Sequence, residues 1–411
     1  MSATETHVER PTAPAPGGGG DKKKQPSGLM TLLTSNAARS SLTPLVFLAV
    51  FTYYGIWLGG TFLNVDARML DVHQNVPVIL VGLAVMVSLL GGHFDLSAAA
   101  TTSLTTFLAI GLSTKNGMPF ILSLVVCVVA GIIVGLVNGI LVVRFRMNSF
   151  IATLGTSGAV LGVSNVYSGG TQLVPDPAGP QLPGWFVGAG SMGSFQEKVP
   201  LAVTVVAAVV LAVLVLRGLV NRRPERFTAQ AWYGVLGALV VVVALVYVAL
   251  DGTTLLRSFS WTIAVMVVVA ILLRVALRST VFGRNLQATG SNSEAARLAG
   301  VKTDRTTVAS FVIGGAIAAV AGVILAAGQG AASPDGAATF ALPAFGAAFL
   351  STVIFSNGRY TVPGSIAGGI FVVWVSQGLI VGGVPFTWSS IVNGLVLVAA
   401  VAISTASTRS R

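Results

Sequence analysis

The chain has 411 residues, of which 54% are hydrophobic and only 9% charged, where soluble domains carry about a quarter charged residues. So few charges cannot build a water-facing surface, and an ordinary soluble globule is excluded. The net charge of +11 lies in short gaps between apolar runs, where basic residues set topology; membrane lipid, not nucleic acid, is the expected partner.

The first stretch, residues 1–41, is polar, with a Pro/Ala/Gly run ending at Gly20 and a basic cluster at Lys22, Lys23 and Lys24. Such composition buries too little to order itself and reads as a disordered tail. The apolar run after it has the length of a span and shows no cleavage site at its end, so the tail reads as uncleaved and cytoplasmic. From there apolar stretches of about 17 to 25 residues, the length that crosses a hydrocarbon core as a helix, recur near 42–61, 76–91, 96–112, 120–143, 150–167 and 201–216. A second group lies near 231–250, 259–277, 308–328, 341–355, 362–382 and 388–405, which makes about twelve spans between residues 42 and 405 and leaves 406–411 as a second cytoplasmic tail.

With both termini inside, twenty of the 24 Lys and Arg fall on the inner side and four, Arg68, Lys115, Lys198 and Arg257, on the outer side. That asymmetry is the one expected of a plasma-membrane protein. The fold class is therefore an all-α, polytopic transmembrane helical bundle, with breaks such as Gly91-Gly92 inside its helices. Cys127, the one cysteine, lies in an apolar run, so no intrachain disulfide or cysteine metal site exists. The outer loop 168–200 is broken by Pro175, Pro177, Pro180 and Pro183 and suits a short surface helix or a lid.

The inner connection 278–307 carries Gly290-Ser291-Asn292-Ser293-Glu294-Ala295-Ala296-Arg297-Leu298-Ala299-Gly300, which reads as one short helix. Asn292 or Ser293 caps its free N–H groups, Glu294 suits its positive end, and Gly300 takes the left-handed turn that stops it. Ala295, Leu298 and Ala299 share one face by helical spacing, a shape that fits a groove on another protein. The plainer alternative is a surface helix that only joins two spans.

This segment, with Gly283-Arg284-Asn285-Leu286-Gln287-Ala288-Thr289-Gly290 before it, resembles the cytoplasmic loop of ABC-importer permeases for monosaccharides, of the ribose and xylose type. Three more stretches agree in order: Gly92-His93-Phe94-Asp95-Leu96-Ser97; Val137-Asn138-Gly139 with Ser149-Phe150-Ile151-Ala152-Thr153-Leu154-Gly155; and Ile391-Val392-Asn393-Gly394-Leu395-Val396-Leu397. The resemblance implies a permease that pairs with itself or a close relative, receives sugar from an extracytoplasmic sugar-binding protein, and docks an ATP-binding subunit. Gly290, Asn292, Glu294, Ala295, Ala296, Leu298 and Gly300 would then couple to that subunit. ATP and magnesium would be bound there and no cofactor in this chain. Ala98-Ala99-Ala100 after the Asp-Leu-Ser stretch, and Phe340-Ala341-Leu342-Pro343-Ala344 without an acid, depart from many relatives and leave the substrate open.

None of the six lysines ends a Gly-x-x-x-x-Gly-Lys-Ser/Thr loop, so the chain is not itself the ATPase. Asp95 and His93 are the only ionisable groups from Val76 to Leu112. They suit either a proton relay or, for Asp95, a cap on the helix that follows the break. Asn138, Asn393 and the aromatic face of Phe150 are further candidates for the translocation pathway, though both asparagines equally suit bonds between helices. Two transport readings follow: a pentose importer subunit driven by ATP on another chain, and a proton-coupled secondary transporter of a small polar solute using Asp95 and His93. A membrane-embedded enzyme is disfavoured, since three histidines and one cysteine offer no ligand cluster.

Overall fold

The structure, a computed structural model, describes residues 36–192, 259–352 and 358–408. The chain divides into two units, Met1–Arg39 and Ser40–Arg411. Of the first, only residues 36–39 are described. Among the described residues the regular structure is helical, apart from one isolated bridge between Leu173 and Ala332.

In chain order the helices are α1 (Asn36–Leu58), α2 (Gly60–Leu63), α3 (Val65–Leu90), α4 (Ser97–Thr114), α5 (Phe120–Val143), α6 (Ser149–Ser168) and α7 (Gly184–Gly190). After residues 193–258 come α8 (Trp261–Ser279), α9 (Val281–Ser291), α10 (Ser293–Leu298), α11 (Thr303–Gln329), α12 (Ala341–Leu350), α13 (Val362–Val381) and α14 (Ser389–Thr408). Six of them, α3, α5, α6, α8, α11 and α13, are long and apolar enough to cross a membrane, and shorter apolar stretches lie at 47–58, 338–350 and 386–402. The expected spans near 201–216 and 231–250 fall outside the described residues, so the expected twelve are not counted out here.

Several boundaries differ from the sequence expectation. The first helix begins at Asn36, inside the stretch read as tail. The second span begins at Val65, eleven residues before the expected Val76, and so takes in Asp66, Arg68, Asp71 and His73. Hydropathy alone stops at such residues, but here they are paired. Arg68 is buried beside Asp71, with 2.9 Å between Nη1 and Oδ2, and its guanidinium stands 4.4 Å over the Phe62 ring. His73 Nδ1 lies 2.7 Å from Ser260 Oγ and 2.9 Å from Thr262 Oγ1, at the start of α8. Pairing and hydrogen bonding are what let such groups leave water.

The core is built around α11, which packs against α3, α4 and α5. Val76, Ile79, Leu83 and Met86 of α3 meet Ile317, Ala321 and Ile324 of α11, while Met266, Ala270 and Leu273 of α8 close the same cluster. Against α5 the contact is backbone to backbone. Gly131, Gly135 and Gly139 recur every four residues and form one stripe. A Cβ on Gly131 would overlap the Gly315 carbonyl, and one on Gly135 the Phe311 carbonyl. Small residues at this spacing let transmembrane helices approach closely enough for dispersion to hold them. The outer face of α5, with Ile121, Val125, Val129 and Ile133 about half exposed, is suited to hydrocarbon.

Helix α4 is too rich in Ser and Thr to score as a span, yet nearly all of it is buried. Its hydroxyls are satisfied within the protein. Thr101, Thr102, Thr105 and Thr106 donate to carbonyls one turn back, at 2.8 to 3.0 Å. Thr102 and Thr106 also lie 3.0 and 3.1 Å from the Ala318 and Gly322 carbonyls of α11. These bonds replace those water would make, so a polar helix is stable inside a membrane bundle.

Candidate functional site

Between α3 and α4 the chain leaves the helix for residues 91–96. Gly91 ends α3 and Gly92, at φ +83°, turns the backbone in a way side-chain-bearing residues resist. The segment is then fastened to the start of α6. Phe94 N–H donates to Ser149 Oγ at 3.1 Å and Leu96 N–H to Thr153 Oγ1 at 3.1 Å. Ser149, Thr153 and Thr156 lie at positions i, i+4 and i+7 of one helix and so share a face.

Asp95 is buried, 2% exposed. Its Oδ1 accepts from the Ser97 N–H at 2.9 Å and from the Ser97 hydroxyl at 2.7 Å. A carboxylate that receives the first free N–H of α4 neutralises part of the helix's positive end. The network continues outward from Ser97. Asn138 Nδ2 donates to Ser97 Oγ at 2.7 Å, and Thr156 Oγ1 donates to Asn138 Oδ1 at 2.6 Å. Asp95, Ser97, Asn138 and Thr156 thereby tie α4, α5 and α6 together, and Asn138 is wholly buried.

The other pathway candidates lie apart from this network. Phe150 is 47% exposed at the start of α6; Phe94 is 41% exposed, its ring 6.3 Å from that of Phe345 and 6.5 Å from that of Phe349. Asn393 Oδ1 accepts from Ser376 Oγ at 2.9 Å, a link between α13 and α14 that shares no bond with Asp95 or Asn138. His93 makes its contacts on α11, its Nε2 3.3 Å from Thr307 Oγ1 and its ring 5.8 Å from that of Phe311. Ser97, Thr153, Thr156 and Phe94 were not singled out from sequence. The i, i+4, i+7 hydroxyls of α6 were a signal that could have found Thr153 and Thr156.

The short helix expected within Gly290 to Gly300 is α10, with the cap at Asn292 and the stop at Gly300, while the first two residues of that segment belong to the helix before it. Gly290 and Ser291 end α9, and Asn292, at the joint, accepts the Ala295 N–H at 2.9 Å and so caps α10. Gly290 instead makes a close approach, since a Cβ there would overlap the Leu90 carbonyl at the end of α3. α10 is exposed except for Ala296, which is buried against the protein itself. Ala295, Leu298 and Ala299 face out, with Leu298 82% exposed. Glu294 and Arg297 form a surface pair at 2.9 Å, and Gly300, at φ +85°, ends the helix. Among the described residues no group of three or more His, Cys, Asp or Glu is placed to hold a metal ion.

The family described as "Branched-chain amino acid transport system / permease component" matches residues 72–401, most of the chain. The chain belongs to this permease family. The permease is 25% identical over 368 residues to the xylose transport system permease protein XylH of Haemophilus influenzae, covering 87% of this chain and 93% of that one. It is 25% identical to XylH of Escherichia coli K12 over 374 residues, 88% of this chain and 90% of the relative. To the autoinducer 2 import system permease protein LsrC of an Enterobacter species it is 25% identical over 353 residues, 85% and 83% of the two chains. No solved structure matches it. The permease is a transport component and not an enzyme, and a multi-pass protein of the bacterial plasma membrane. Two of the motifs that carried the resemblance, those of Asp95 and of Asn138, are hydrogen-bonded to each other through Ser97.

Proposed function

We propose that this permease is the membrane-spanning subunit of an ABC importer that carries a monosaccharide, a pentose such as xylose or ribose, by alternating access. ATP and magnesium belong to a separate ATP-binding subunit that docks on α10. An extracytoplasmic binding protein delivers the sugar, and a second copy of the permease completes the pathway. Both termini and the connection 278–307 face the cytoplasm. The observation that carries this reading is α10 itself, a capped two-turn helix that exposes Ala295, Leu298 and Ala299 instead of burying them.

The support under α10 favours coupling over a plain connector. α9 is wedged against the end of α3 at Gly290, and Gly91 there lies against Leu286. A displacement of α10 therefore reaches the break that holds Asp95, His93 and Phe94. Phe94 and Phe150, each partly exposed, offer flat apolar faces of the kind that stack on sugar rings.

Reconstitution tests the proposal. Vesicles holding the full chain, the ATP-binding subunit and the binding protein are expected to take up pentose only with ATP inside. Uptake driven by a proton gradient without the partner subunits would overturn it. Glu294→Lys and Leu298→Asp are expected to lower co-purification of the ATPase while leaving membrane insertion intact. Undiminished co-purification of both would remove α10 from the docking role. A ligand screen on the binding protein assigns the sugar.

A further inference from the structure

At the end of the bundle where α8 and α9 meet the start of α13, a cleft of about 1050 Å³ is lined by Arg274, Arg278, Arg284 and Arg359. No Asp or Glu is among its described lining residues. The arrangement follows from helical spacing. Arg274 and Arg278 stand one turn apart on α8, and Arg284, Gln287 and Ser291 share one stripe of α9. Among the described residues neither Arg274, Arg278 nor Arg284 has an ion-pair partner. Like charges at this spacing repel, and an anion seated between them relieves that repulsion.

The surroundings of the cleft say which anion. Its inner wall is apolar, from Leu90, Leu277 and Val362. Val268, Ile271 and Val275, each more than half exposed, lie on the helical face that continues from Arg278 and Arg274 along α8 toward the middle of the span. A charged end followed by an apolar stripe of this length matches a molecule with an anionic head and a hydrocarbon tail. An acidic peptide would leave the stripe without a role.

We propose that the cleft binds the phosphate-bearing headgroup of an anionic membrane phospholipid, with the guanidiniums of Arg274, Arg278 and Arg284 on the phosphate and an acyl chain along the exposed face of α8. Arginine forks suit phosphate oxygens geometrically as well as by charge, and basic pockets between spans on the cytoplasmic side are where such headgroups gather. The proposal does not depend on what the permease transports. The lipid would join α8, α9 and α13 beside α10, so its presence would also stiffen the support of that helix.

The test uses the full-length purified permease. Retention of phosphatidylglycerol is measured by native mass spectrometry in mixed micelles, and thermal unfolding is followed in phosphatidylcholine vesicles with and without phosphatidylglycerol. The wild type is expected to retain the anionic lipid and to unfold at a higher temperature in its presence. The triple variant Arg274→Gln, Arg278→Gln, Arg284→Gln is expected to lose at least about tenfold in affinity. Arg144→Gln with Arg146→Gln and Arg305→Gln, which removes the same charge elsewhere on that side, is expected to lose much less. The triple lysine variant at 274, 278 and 284 keeps the charge and is expected to recover part of the binding, which separates a binding defect from misfolding. Equal loss in the two glutamine triples would overturn the proposal, as would full retention in the first. Displacement of the lipid by equimolar inorganic phosphate would assign the cleft to the free anion instead. Displacement by the ATP-binding subunit alone would assign it to a protein partner.

Discussion

Asn138 is the residue through which α4 and α6 are joined: its amide donates to Ser97 at 2.7 Å and its carbonyl accepts from Thr156 at 2.6 Å, with the side chain wholly buried. Asn138→Ala removes both links between the helices at once and empties a wholly buried polar site, while Ser97 keeps its bond to Asp95 and Thr156 its bonds to the Ala152 and Thr153 carbonyls. The expected cost is about 1–3 kcal/mol, read as a lower unfolding temperature in detergent. Asn393→Ala, which loses one half-buried contact to Ser376, is expected to shift it less.

Asp95→Asn separates a cap from a proton carrier. The amide oxygen keeps the acceptor for Ser97, so the loss is the difference between a charged and a neutral hydrogen bond, about 1 kcal/mol. Uptake by the reconstituted importer is expected to stay within about threefold of wild type. Abolished uptake with unchanged stability and unchanged ATPase binding would favour a proton-carrying role for Asp95 and His93.

Gly290→Val tests the contact between α9 and α3. The added side chain overlaps the Leu90 carbonyl, so α9 must move off the end of α3. The ATPase is expected to bind and hydrolyse ATP while pentose uptake falls, a split between hydrolysis and transport. Proportional loss of both would mean that Gly290 serves only folding.

Gly135→Leu and Gly155→Ala form a contrasting pair. A side chain at Gly135 collides with the Phe311 carbonyl, whereas nothing lies within 4 Å of a Cβ at Gly155. The first is expected to cost several kcal/mol as an overpacked contact and to reduce the amount of protein in the membrane sharply. The second is expected to be neutral or to stabilise by up to about 1 kcal/mol through helix propensity. Quantifying membrane-extracted protein by immunoblot checks both.

Much of the bundle was readable because hydrocarbon leaves a coarse signature. α5 was bounded to the residue and α13 to within one, since the apolar length coincides with Pro119 and Arg144 at the ends of the first and with Pro363 and Gly382-Gly383 at the ends of the second. α3 was cut short because hydropathy cannot see that Arg68 has Asp71 and that His73 has Ser260 and Thr262; the pairing is tertiary. α10 was readable as local chemistry in Asn292 and Gly300. The assignment of Gly290 to α9 was not, because its reason is a neighbour two hundred residues away in sequence, at Leu90. The same holds for the site. Asp95 and Asn138 could be suspected singly, but the Ser97 hydroxyl that unites them looks like any other serine in a threonine-rich run.

The glycine stripe of α5 on α11 has a mechanical meaning. Interfaces built from side chains have rotamers to spend when helices slide, but two backbones in direct contact have no such slack. α5 and α11 are in effect one welded strut, and α4, bonded to α11 through Thr102 and Thr106, is riveted to the same piece. A transporter assembled on such a strut cannot open along it. Under the alternating access proposed above, parting is expected among the helices that meet the strut through ordinary side chains, and a search for moving parts should begin there.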